Sequence, residues 1–294
     1  MSDPRPGLVR PARRPEGFVA RGPAPRAPQD LIPRASEDLC FLTGDWRIFQ
    51  KVRGHRWSLD DLVTAWVATR AVQGHQVREA LDLGCGIGSV LLMTAWSLPH
   101  ARLIGIEAQP ASAELARRSV QWNGADDRVR VVDGDVRDAA VLPAGARFDL
   151  VTGTPPYFLE EEGVVSEVPQ RGACRFELRG GVEAYVEAAA RWLADDGRFV
   201  ICCAAPQKQR VFDAARAHGL GVSGWLDVVP KTGKAPLVGV AVMGKAASEF
   251  LQTSLLVRTA DGQWAPEFRA LRVEMGLPDK PPRKSGHPLG QGSG

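Results

Sequence analysis

Two short segments, about 70 residues apart, hold residue types that could do chemistry together. The first is Leu81-Asp82-Leu83-Gly84-Cys85-Gly86-Ile87-Gly88, and the second is Phe148-Asp149-Leu150-Val151-Thr152-Gly153-Thr154-Pro155-Pro156-Tyr157-Phe158. Each begins in an apolar run of strand length. In the first, alternating glycines permit a tight turn and remove the Cβ atoms that would keep a ligand away from the backbone. In the second, two prolines fix φ and remove donors, so the Pro155 carbonyl is held in a set direction. Tyr157 and Phe158 then offer flat faces on which a base could stack. The pair predicts a group-transfer site: one half for a nucleotide-like cofactor, the other for a planar substrate.

A glycine turn between a strand and a helix, with a carboxylate about 20 residues on, suits a ribose-bearing ligand. Glu107 lies 19 residues after Gly88, at the end of Leu103-Ile104-Gly105-Ile106. Asp133 and Asp135 follow the next apolar run, Val129-Arg130-Val131-Val132, and compete for one further role. This much fits NAD as well. Ser89, however, stands where the dinucleotide fingerprint wants its third glycine, and no acid/base pair for an oxidoreductase is recognisable beside the turn.

The surrounding elements are those that could bring the segments together. Apolar runs at 80–83, 103–106, 129–132, 148–151 and 199–203 alternate with helical patterns over 90–98, 110–120, 182–193 and 207–218. Strands alternating with helices predict a doubly wound α/β fold with a mostly parallel sheet, seven strands in all, with an antiparallel hairpin from the runs near 228 and 237–243 and a further strand at Leu255-Leu256-Val257. Residues 46–58 read as a hairpin around Gly54, and Asp60 as the cap of a helix beginning at Leu62. In such a sheet, ligands bind at the carboxyl ends of the strands beside the topological switch point. That rule gathers Gly84 to Gly88, Glu107, Asp135 and Thr154 to Phe158 on one rim.

The chain has 294 residues, 44% of them hydrophobic, and a net charge of +3, so it is ordinary globular material and no polycation. Its five cysteines are not spaced as metal ligands, so no metal is expected, and free thiols suit the cytoplasm. No apolar stretch reaches membrane-spanning length. Residues 1–36 carry seven arginines among many prolines and are expected to form a disordered basic arm, with a transit peptide as the alternative. Residues 37–277 form the expected catalytic domain, and 278–294 a second disordered tail.

Asp82-x-Gly84-x-Gly86-x-Gly88 resembles the first motif of class I S-adenosylmethionine (SAM) dependent methyltransferases, and Thr154-Pro155-Pro156-Tyr157 resembles the Asn-Pro-Pro-Tyr loop of those that methylate amino nitrogens. The segment 54–66, ending in Ala65-Trp66, and the segment 255–268 further resemble the bacterial tRNA(Val) adenine-N6 methyltransferases. The resemblance implies SAM as cofactor, with Asp82, Gly84, Cys85, Gly86, Gly88, Glu107, Ala108, Asp135 and Val136 around it. Glu107 would take the ribose hydroxyls and Asp135 the adenine amino group; Cys85 is a small filler. It implies Thr154, Pro155, Pro156 and Tyr157 as the catalytic loop, Phe158, Arg171 and Arg175 against substrate, and RNA, above all tRNA, as partner. Thr154 departs from the family's Asn or Asp. A hydroxyl still offers two acceptor lone pairs, so the departure leaves three expectations: altered geometry, a different acceptor such as a protein amide or small metabolite, or a SAM-binding module without catalysis. Trp57 and Trp66 are expected in the core, and Ser58 as a helix cap.

Overall fold

The computed structural model describes residues 31–156, 181–246 and 249–279. Tyr157, Phe158, Arg171 and Arg175 lie outside these residues, as do the first 30 positions and the C-terminal 15.

A central sheet of eight strands carries the site. In chain order these are β3 (Glu79–Leu83), β4 (Arg102–Glu107), β5 (Val129–Asp133), β6 (Phe148–Gly153), β7 (Leu193–Ala204), β8 (Gly221–Val229), β9 (Val238–Gly244) and β10 (Leu251–Leu256); a separate hairpin, β1 (Glu37–Thr43) with β2 (Trp46–Lys51), precedes them. The spatial order is β10-β8-β9-β7-β6-β3-β4-β5. Strands β5, β4, β3, β6 and β7 run parallel, while β9 enters antiparallel between β7 and β8. The chain winds outward from β3 to β5, then returns to the other side of β3 as β6. The switch point therefore falls between β3 and β6, the two strands that carry the motifs.

Three expectations are corrected. The sheet has eight strands, not seven, because β10 adds parallel to β8 at the edge. The expected strand at 255–257 overlaps its end; its first four residues are exposed, so they are held by the ladder and leave little apolar signal. The N-terminal hairpin pairs 37–43 with 46–51 about Gly44, whose φ of +50° makes the turn; Gly54 is not among the glycines with positive φ. Of the two expected caps, Ser58 is the cap of α1 (Leu59–Ala71) while Asp60 lies inside its first turn, and Asp61 closes the capping box by accepting from the Ser58 N–H at 2.8 Å.

Helices cover both faces. On one lie α1, α2 (Ser89–Ser97) and α3 (Pro110–Trp122), with the hairpin and α6 (Pro266–Glu274) around them; on the other lie α4 (Val182–Trp192) and α5 (Lys208–Ala217). Pro110 starts α3, where its missing N–H costs nothing. Strand β2 would leave an open edge, but α3 meets it: Ser119 Oγ accepts from Phe49 N at 2.9 Å, and Asn123 both accepts from Arg47 N at 2.8 Å and donates to its carbonyl at 2.7 Å. Residues 31–36 lie on this body. Leu31 packs against the core, and Arg34 pairs with Glu114 of α3. Trp57 and Trp66 pack against the core, and the Trp66 indole also donates to Glu274 at 2.9 Å.

Candidate functional site

The glycine turn leaves β3 with Gly84, Gly86 and Gly88 all in left-handed conformations, at φ +60°, +57° and +88°. Each also answers a different neighbour. A Cβ on Gly84 would sit 2.1 Å from the Tyr185 hydroxyl, and one on Gly88 would press on Ala116 at 3.2 Å. Among the described residues, a Cβ on Gly86 would meet nothing within 4 Å, so this glycine borders the open side of the turn, where a ligand can reach the backbone. Gly88 caps α2, whose first-turn N–H groups follow directly.

Glu107, at the end of β4, is buried and holds the turn in place. Its Oε2 accepts from Gly86 N at 2.8 Å and its Oε1 from Gln109 N at 2.7 Å. A carboxylate has about four lone-pair sites, so two backbone bonds alone do not saturate it. Ala108 follows it, half-buried. Cys85 is buried against Gly105: a Cβ there would lie 2.7 Å from its sulfur, which suits a space-filling thiol. Burial, with Asp82 and Glu107 nearby, pushes that thiol well above its ordinary range, so it stays protonated.

Asp82 is buried on β3. Its Oδ1 accepts from the Thr152 hydroxyl at 2.8 Å, and its Oδ2 is buried without a hydrogen-bond partner. Burial pushes its carboxyl up to about 7, a rise the Thr152 bond opposes and the nearby Asp61 reinforces. Asp61 is likewise pushed up to about 7, by burial first and Asp60 second. An unfilled acceptor among buried carboxylates is a place for a cation, and the methionine end of SAM is cationic. On this ground, and on the open face of Gly86, the residues fit SAM.

Asp135, in the turn after β5, is held by its neighbour: Oδ1 accepts from the Arg137 backbone N–H at 2.9 Å and Oδ2 from the guanidinium at 2.6 Å. Val136 beside it is buried. The competing Asp133 ends β5 and pairs with Arg117 of α3. Across the switch point, Gly153 of β6 stands opposite Leu83. Thr154 and Pro156 are half-buried and Pro155 is buried. The start of the substrate loop thus lies beside the start of the glycine turn.

Three residues here escape sequence reasoning. Tyr185 reaches both Gly84 and Gly153 from α4, where Val182, Tyr185, Val186 and Ala189 form its buried stripe. Asp61 reads in sequence as one of two charges in a helix start. Thr152 reads as one polar residue in an apolar strand, and only the register opposite Asp82 reveals its partner. Among the described residues, no cluster of His, Cys, Asp and Glu is arranged to hold a metal ion, and no helix is long and apolar enough to cross a membrane.

Residues 80–168 match a family model described as a methyltransferase domain. The tRNA1(Val) (adenine(37)-N6)-methyltransferase of Yersinia pestis strain Pestoides F is 28% identical over 213 residues, spanning 70% of this chain and 81% of the relative. Its counterpart in Yersinia pseudotuberculosis serotype O:1b is similar to the same extent, 28% over 213 residues, with 70% and 81% covered. Among solved structures, a predicted O-methyltransferase from Agrobacterium tumefaciens superposes with a TM-score of 0.56 at 19% identity, covering 74% of this chain and 97% of the other, which supports the fold. A glycine turn shaped for a ribose-bearing ligand, at the switch point of this sheet and inside the matched domain, accords with these relatives: the chain is an S-adenosylmethionine-dependent methyltransferase with a Rossmann-like sheet.

Proposed function

We propose that this chain methylates the N6 amino group of an adenine in RNA, with tRNA as the principal substrate, in the cytoplasm. The observation that carries the reading is Thr154-Pro155-Pro156 at the carboxyl end of β6, directly across the switch point from the glycine turn. The tRNA methyltransferases named above support it. When bound, SAM supplies an electrophilic methyl group. The adenine amino group is a poor nucleophile because its lone pair is delocalised into the ring. In this reading the Thr154 hydroxyl and the Pro155 carbonyl accept its two N–H bonds and so favour a pyramidal nitrogen. Catalysis would then come from positioning and electrostatics. Tyr157 and Phe158 would stack the base, which must leave its helix or loop to be reached, and Arg171, Arg175 and the arginine-rich arm would meet phosphates. Asp82, Gly84, Gly86, Gly88, Glu107, Ala108, Asp135 and Val136 would surround the cofactor, with Cys85 packed behind it.

The test is transfer from methyl-labelled SAM to unmodified tRNA, followed by mass spectrometry of the released nucleosides. N6-methyladenosine is the expected product. Label in a protein amide or a small metabolite, with none in RNA, would refute the assignment to RNA while leaving the methyltransferase intact.

A further inference from the structure

Thr152 stands opposite Asp82 in the parallel ladder between β6 and β3. Both are buried, at 2% and 3% exposure. The hydroxyl donates to Asp82 Oδ1 at 2.8 Å, with the Leu81 carbonyl farther off at 3.4 Å. The other oxygen, Oδ2, is left inside without a partner. Such an arrangement is costly in a resting core, because a desolvated acceptor without a hydrogen bond loses its hydration for nothing. It becomes useful if a ligand completes it. The groups facing Asp82 are Asp61 from α1, Glu107 from β4, the Cys85 thiol in the turn and the Leu91 N–H in the first turn of α2, which favours the ionised carboxyl but carries no full charge. None is cationic, so the compensating charge has to arrive with the ligand.

We propose that Thr152 is a positioning residue of the cofactor site, occupying Oδ1 of Asp82 so that Oδ2 stays available to a cationic group of SAM. This rests on the reading of Asp82 as a cofactor residue. The hydroxyl has a second consequence. Donation to a carboxylate favours the ionised form, and it opposes the upward push that burial exerts on Asp82. Without it, Asp82 would hold its proton to higher pH, and SAM binding would have to expel that proton to solvent. The bond also joins the strand of the glycine turn to the strand that leads, two residues later, into Thr154.

The experiment is calorimetric titration of the full chain with SAM from pH 6 to 9, comparing wild type, Thr152→Val and Thr152→Ser. Thr152→Val keeps the shape and loses the donor. It should weaken SAM about tenfold near pH 7, the effect expected for one hydrogen bond to a charged group, and recover towards alkaline pH. Thr152→Ser should follow the wild-type profile. Methylthioadenosine, which lacks both cationic groups of SAM, should bind wild type and Thr152→Val alike. A Thr152→Val loss that is absent, or equal at every pH, would overturn the proposal, as would an equal loss for methylthioadenosine. If the valine variant does not fold, Thr152→Ala carries the same comparison. Failure of wild type to bind SAM at any pH would instead overturn the cofactor reading beneath it.

Discussion

Glu107→Gln is the sharpest single perturbation of the cofactor site. Both oxygens of Glu107 accept backbone N–H bonds, from Gly86 at 2.8 Å and Gln109 at 2.7 Å. Glutamine keeps the length and one acceptor, but turns an NH₂ group toward one of the two donors. The variant loses a charge-assisted hydrogen bond and buries an unmatched N–H. The lost charge-assisted bond alone costs about 1.5–3 kcal/mol, which sets a lower bound on the penalty. The cost falls on the turn at Gly86, where no other described residue comes within 4 Å of the place a Cβ would occupy to brace it. If the variant turn relaxes in the free protein, SAM must restore it on binding. A penalty of about 1.5–3 kcal/mol then appears as roughly a tenfold to hundredfold weaker Kd. Calorimetry with SAM and with S-adenosylhomocysteine reads this directly, and both should weaken alike because the lost bonds lie away from the methyl group. Wild-type affinity in Glu107→Gln would show that the carboxylate neither shapes the turn nor holds the ribose.

Thr154→Val should lower single-turnover methylation while changing SAM affinity little, and equal rates would remove the hydroxyl from the chemistry. Glu37 gives a stability test. Burial would raise its carboxyl, but Lys51, Arg118 and the Arg34 N–H outweigh that and hold it at about 2. Its stabilisation is full above pH 4.5 and fades as pH falls through about 2. Glu37→Gln should therefore cost roughly 3 kcal/mol at pH 7, at about 1.4 kcal/mol per pH unit, and much less at pH 2.5 in urea titrations; a loss independent of pH would refute the ion-pair account. Asp82 has the opposite sign. Its folded value lies above the ordinary 3.8, so the ligand-free protein should lose stability as pH rises from about 4 to about 7, and Asp82→Asn should flatten that slope in melting curves. Removing residues 1–30 should leave the melting temperature nearly unchanged but flatten the salt dependence of RNA binding; a large drop in melting temperature would refute the expectation of a separate arm.

What the sequence made legible follows from period and position. Parallel strands buried on both faces read as continuous apolar runs, so β3, β4, β6 and the core of β7 stand out. The glycine turn and the Thr-Pro-Pro loop are short, local and chemically unusual, so they need no knowledge of tertiary structure. Glu107 could be placed because a fixed crossover length separates it from the turn. The failures concern signals set by distant partners. β10 is legible only at Leu255 and Leu256, because its start is exposed over Leu251–Ser254 and defined by its ladder to β8. Gly54 is more conspicuous in sequence than Gly44, yet Gly44 makes the hairpin turn and its N–H donates to the Gly276 carbonyl of the C-terminal segment at 3.1 Å. Asp61 looks like surplus charge beside Asp60. Its burial arises because α1 is laid against α2 and β6, which no local window contains.

The same contrast explains why the site is built where it is. A doubly wound sheet has one place where neighbouring strands send their connections to opposite faces, and here it lies between β3 and β6. The two connections part, and the gap between them admits a ligand without any strand being broken. What remains is to hold the two strand ends in register while the loops beyond them respond to ligands. The backbone ladder does this as far as Leu83 and Gly153. Two side-chain contacts then tie the rim from opposite faces. Thr152 bonds Asp82 on the face of α1 and α2, and Tyr185 of α4 lies against Gly84 and Gly153 on the other. Enlarging either glycine would push Tyr185 out and open the second tie, whereas losing the Thr152 hydroxyl opens only the first. A rim clamped on both faces explains how a turn of three left-handed glycines, which gains little from its own conformation, can be stiff enough to present its backbone to a cofactor.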